Sequence, residues 1–152
     1  MLLQAGITGF QPTLSIGESE FKAVCYSSFG SNRVAFVEGS GSMKNFYECI
    51  INRENKRVHI LLNSHYPFVA FITSREADDH YLTFINDIEL SNTFKPYYKV
   101  LYLEQLNEPV NYTQQGKNII IKNENNLHQD ELKQLVYWKP KTVGEIVFNY
   151  WD

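Results

Sequence analysis

Phe46-Tyr-Glu-Cys-Ile-Ile51, Val58-His-Ile-Leu-Leu62 and Phe68-Val-Ala-Phe-Ile-Thr73 are three apolar runs of strand length, rich in β-branched and aromatic residues. The first two flank Asn52-Arg-Glu-Asn-Lys56, a polar stretch that predicts a hairpin. Pro67 precedes the third run, where its missing N–H is tolerated. Strands packed this closely along the chain predict an antiparallel sheet. His59 alternates with Val58 and Ile60, which predicts that it lies on the polar face of its strand.

Upstream, Glu18 to Phe29 predicts a helix, with Phe21, Val24, Cys25 and Phe29 on one face. Glu18 and Glu20 suit its positive N-terminal end, and Gly30 is placed to stop it. Leu2 to Ile7 reads as a short first strand, Gly9, Pro12 and Gly17 as loop punctuation, Arg33 to Val37 as a strand and Gly39 to Met43 as a flexible turn. Downstream, Tyr81 to Asn86 has helical spacing but strand-like composition and is expected as a strand. Asp87 then caps a short helix toward Phe94. Tyr97 to Leu103 is expected as a strand, and Val110 to Thr113 with Asn118 to Lys122 as a second hairpin.

The chain closes on helical patterns. Leu132, Leu135 and Val136 form an apolar stripe that Pro140 ends. Thr142 and Glu145 make a capping-box pattern, after which Val143, Val147, Tyr150 and Trp151 recur at helical intervals. Both tryptophans, Trp138 and Trp151, fall in this segment, so it is expected to be buried in the fold or against a partner. The expectation is a single α+β domain over residues 1–152: a mostly antiparallel sheet, one early helix and a helical C-terminus.

Composition narrows the function classes. At 43% hydrophobic and 20% charged, the chain has the make-up of a globular protein rather than a disordered one. A net charge of -3 lacks the basic footprint of a nucleic-acid binder. No apolar run approaches the roughly 18 residues needed to span a bilayer, and the start has no charged leader segment. Cys25 and Cys49 sit within apolar segments and are expected as buried reduced thiols of a cytoplasmic protein; a disulfide between them would need close Cα atoms, which sequence does not fix.

Motifs for chemistry are sparse. His59, His65, His80 and His128 form no close ligand pair, and the consecutive Asp78-Asp79-His80 side chains diverge in extended chain. Gly39-Ser-Gly-Ser lacks the lysine of a phosphate-binding loop and the glycine spacing of a nucleophile elbow. Tyr97-Tyr98 between Lys95 and Lys99 is expected to pack in a strand rather than stack on bases. No catalytic residue, cofactor or metal is expected. One surface feature stands out: between Arg75 and Lys95 there is no Lys or Arg, only Glu76, Asp78, Asp79, Asp87 and Glu89. These five carboxylates are the expected contact for a basic protein partner.

The ending Trp138-Lys-Pro-Lys-Thr-Val-Gly-Glu-Ile-Val-Phe-Asn-Tyr-Trp-Asp152 resembles the closing segment of small bacterial proteins, some of which look like immunity proteins of toxin systems. The resemblance implies a cytoplasmic, non-catalytic protein that binds a toxin and blocks it by occlusion. The rival readings are a small enzyme with a dispersed active site and a subunit that docks through its aromatic tail.

Overall fold

A computed structural model describes residues 2–11, 14–38, 44–76 and 79–151. The early helix α1 spans Glu18–Phe29, and Gly30 ends it at φ 82°, where a side chain would be strained. After a 3-10 turn over Ser31–Arg33 come β1 (Val34–Phe36), β2 (Phe46–Arg53), β3 (Lys56–Asn63) and β4 (Phe68–Thr73). These four pair in chain order, all antiparallel. β2 and β3 run in register from Phe46 opposite Asn63 to Arg53 opposite Lys56.

The far edge of β4 is shared. Its second half pairs antiparallel with β5 (Phe84–Ile85), and its first half pairs parallel with β6 (Lys99–Val100). Between them lies α2 (Ile88–Phe94), capped by the Asp87 carboxylate, which accepts the Leu90 N–H. α3 (Leu103–Leu106) follows, then the separate two-stranded ribbon of β7 (Tyr112–Gln115) and β8 (Asn118–Ile121). α4 (Gln129–Trp138) and α5 (Val143–Val147) complete the α+β fold.

Strand alternation sends side chains to two cores. Cys49, Ile51, Val58, Ile60, Leu62, Val69 and Phe71 meet Phe21, Val24 and Cys25 of α1 and Leu90 and Phe94 of α2. Cys25 and Cys49 are both fully buried free thiols here, as expected. The opposite face presents Phe46, Leu61, Ala70 and Ile72 to the N-terminal loop and to α3, α4 and α5. Gly144 is required where α5 crosses this core, because a Cβ there would lie 2.6 Å from the Phe84 ring and 2.9 Å from the Leu106 carbonyl.

Several expected elements are shorter or different. Leu2 to Ile7 is not a strand: Leu3 makes one bridge to Asn125 and the chain then turns, burying Leu3 and Ile7. The strands expected over Tyr81–Asn86 and Tyr97–Leu103 contract to two residues each, because each meets only half the edge of β4. The expected hairpin at Val110 starts two residues later, at Tyr112. The last helix stops at Val147, and the Phe148 N–H still reaches the Gly144 carbonyl before the chain extends. Thr142 does not cap α5 with its side chain; the Glu145 carboxylate accepts the Lys141 N–H instead. The two tryptophans part company: Trp151 is buried while Trp138 is 39% exposed. The Gly39–Met43 turn lies outside the described residues.

Candidate functional site

Glu48 sits on β2 in phase with Phe46, on the face that packs against the C-terminal elements. An isolated carboxylate at such a position would be expensive to ionise, so it demands partners. Three surround it. His59 Nδ1 lies 2.5 Å from Oε2, Arg75 Nη2 lies 2.7 Å from Oε1 and Lys44 Nζ lies 3.3 Å from Oε1. All four side chains are 7% exposed or less. Burial pushes the Glu48 carboxyl up, but the His59 hydrogen bond and the Arg75 and Lys44 charges outweigh it and hold it below the ordinary carboxylate range. Burial acts on Lys44 in the opposite sense and lowers its ammonium despite Glu48.

His59 therefore corrects the expectation of a polar face. The alternation holds, since His59 does point away from Val58 and Ile60, but that face is covered too and His59 is 3% exposed. The pairing with Glu48 follows from register: His59 lies opposite Ile50 and Leu61 opposite Glu48, so His59 and Glu48 are diagonal neighbours.

The C-terminal tail roofs this centre. Arg75 donates from Nη2 to the Tyr150 hydroxyl and from Nη1 to the Asp79 carbonyl, and its guanidinium lies 5.5 Å from the Tyr150 ring centre. The Tyr150 ring stacks on His80 at 4.1 Å. Burial raises the Tyr150 hydroxyl above its ordinary range, with Arg75 opposing. Chemically, the Glu48–His59 pair has the composition of a general acid–base pair. Arg75 and Tyr150 cover one side of it, and Glu48 and Lys44 also line a cavity of about 170 Å³ with Phe36, Val37 and Tyr47. Among the described residues, no group of three or more His, Cys, Asp or Glu is disposed to hold a metal ion.

A second polar network fixes the tail. Asn45 and Asn63 each donate from Nδ2 to the Ile7 and Val147 carbonyls. The Asn149 N–H donates to Asn45 Oδ1, and Asn149 Nδ2 donates to the Thr8 and Ile146 carbonyls. Asn63 Oδ1 accepts the His65 and Tyr66 N–H groups. Three buried amides thus replace strand pairing between the sheet, the N-terminal loop and the tail. Glu131 of α4, fully buried, secures the same loop by accepting from Gly6 N, Thr8 N and Thr8 Oγ1.

The five expected partner-binding carboxylates are divided between surroundings. Asp87 pairs with Arg53 and caps α2 on the helix-covered face, with Glu89 3.3 Å from the same arginine but 85% exposed. Asp79 lies on the other side, by Arg75, where its carboxylate accepts the Tyr81 N–H. Glu76 is exposed, and Asp78 lies outside the described residues. Around them Tyr81 and Ile88 are 73% and 80% exposed. Glu48, Lys44, Arg75, Tyr150 and the three asparagines match no functional sequence motif. A carboxylate in phase with inward-facing Phe46 was the one available signal. No helix among the described residues is long and apolar enough to cross a membrane. No family model, curated protein or solved structure is detectably similar to this chain.

Proposed function

We propose that this chain is a non-catalytic protein-binding module, an immunity-type protein that neutralises a bacterial toxin in the cytoplasm by occluding it. The observation that carries the reading is the segment from Glu76 to Glu89, which leaves Tyr81 and Ile88 in solvent beside exposed carboxylates. Apolar anchors rimmed by charge are the anatomy of a binding surface. The rim is acidic, so the favoured partner is basic. Asp87 serves indirectly by holding the start of α2; Glu89 presents charge beside Ile88, while Glu76 and Asp79 present it beside Tyr81, toward the other side of the sheet. Asp78 belongs to the same acidic run. The enzyme reading is less well supported, because the Glu48 and His59 side chains are each 4% exposed or less.

The test is capture of the product of the adjacent gene by the full chain, followed by binding rates at low and high salt. Reversal at Glu76 and Glu89 together (E76K, E89K) is expected to slow association several-fold at low salt and flatten its salt dependence. The off-rate and thermal midpoint stay near wild type, since rim charges act mainly on encounter. Unchanged rates for the double variant remove the acidic segment from recognition. Failure of the adjacent product to bind removes the immunity reading.

A further inference from the structure

α1 lies on β2 with the two repeats in step. Phe21 stacks on Tyr47, ring centres 6.4 Å apart. Four residues further along α1 is Cys25, and two residues further along β2 is Cys49. Four helical residues rise about 6 Å and two strand residues about 6.8 Å, so the next pair to meet is Cys25 with Cys49. A second contact fixes the direction of travel. Tyr26 meets the Phe36 ring at 5.3 Å, and Phe36 is the β1 partner of Cys49. The Cys49 thiol accordingly lies within hydrogen-bonding reach of the Cys25 thiol. Both are fully buried, at 0% exposure, and they are the two cysteines of the chain.

A single buried cysteine packs as a small hydrophobe. Two that face each other across a helix–sheet contact are the arrangement a disulfide needs. The backbones of α1 and β2 come within 8 Å, Cα to Cα, close to the roughly 7 Å that a disulfide bridges. We propose that Cys25 and Cys49 are a redox-sensitive staple, a dithiol in reducing surroundings that closes to an intramolecular disulfide by exchange with a small-molecule disulfide and ties α1 to the β2–β3 hairpin.

The docked pair is protected. The Cys49 thiol and burial together hold the Cys25 thiol well above the ordinary thiol range, so little attacking thiolate is present. Exchange therefore proceeds when α1 lifts from the sheet. The helix can lift as a unit, since Gly17 gives it no side-chain cap and it holds on by Phe21, Val24 and Cys25. One exposed cysteine thiolate then attacks a sulfur of the reagent and expels the first thiolate. As α1 returns, the second cysteine thiolate attacks the sulfur of the first and expels the other half. One S–S bond breaks in the reagent and one forms in the protein. Two electrons pass from the protein sulfurs to the reagent, and the two thiol protons end on the released thiols.

Incubation of the folded chain with excess oxidised glutathione tests the staple, independently of any binding partner. The monomer mass is expected to fall by two hydrogens with no glutathione attached. Trypsin should release residues 23–33 linked to residues 45–53. The thermal midpoint should rise by roughly 5–10 °C, because the link constrains the unfolded chain, and dithiothreitol should reverse the rise. Cys25→Ala and Cys49→Ala should each lack both the link and the rise. Far-UV circular dichroism checks their folds; if either is disturbed, the mass, peptide map and midpoint of the wild-type chain decide alone. Two thiols that stay free, or glutathione attached at both cysteines, overturn the proposal. So does a link that leaves the midpoint unchanged or lowers it, or an equal rise in a single-cysteine variant.

Discussion

The three-asparagine clamp and the Glu48 centre tie remote chain to the same face of the sheet, one with neutral amides and the other with full charges. In the clamp, Asn45, Asn63 and Asn149 meet backbone carbonyls and N–H groups of the N-terminal loop and the tail. No charge is desolvated, and each amide does the work of a missing strand pair. In the charged centre, one carboxylate answers Arg75, His59 and Lys44 at once. That arrangement holds only while Glu48 is ionised, and removing the carboxylate strands buried cations. Tyr150 is reached from both, since it follows Asn149 in the chain and receives Arg75. The tail is thus anchored twice, by a network indifferent to pH and by one sensitive to it.

The largest break is at the charged end. Glu48→Ala leaves Arg75 and Lys44 buried without their counter-charge and is expected to cost about 3–5 kcal/mol. Urea unfolding followed by tryptophan emission measures it. An unchanged midpoint would mean that the centre contributes nothing net.

The amide end should cost less. Asn45→Ala orphans the Asn149 N–H, whereas the Ile7 and Val147 carbonyls keep Asn63. The expected loss is about 2–3 kcal/mol. If Asn45→Ala proved costlier than Glu48→Ala, the ranking of the two networks would be reversed.

The finest distinction is in pH. The Glu48 carboxyl is held below its unfolded range, so the stability it confers is full above that range and lost as pH falls through the folded value. Stability curves in acid should therefore be steeper for wild type than for Glu48→Gln. Asn45→Ala should run parallel to wild type, displaced downward at every pH. Parallel curves for Glu48→Gln as well would show that other carboxylates govern the acid limb.

Particular residues show how much could be read in advance. Phe21, Val24 and Cys25 mark the buried face of α1, and Gly30 its end, because both signals lie within a few residues of each other. The β2–β3 hairpin, β4 and the Asp87 cap were legible for the same reason. The tail departs from its local pattern: Val143 and Val147 carry a helical interval, but Asn149 has hydrogen bonds with Asn45 and Thr8, more than a hundred positions away in sequence, and those bonds hold the chain extended. Alternation puts His59 on the correct side of β3 but does not show that this side is covered. Of the candidate surface, the acidic run was visible; that Arg53 engages Asp87 on one face while Arg75 and Asp79 lie toward the other was not.

The α+β class, the early helix, the antiparallel core strands and the alternation of their side chains follow from local sterics and hydrophobic period, which set backbone conformation and facing. What covers each face depends instead on how distant segments pack. That packing turned a strand histidine and a lone glutamate into a buried ionic centre, shortened β5 and β6 to the length of edge available on β4, and drew the tail out of its helix. Burial is a property of segments that meet from opposite ends of the chain, and no local pattern records which partner will arrive.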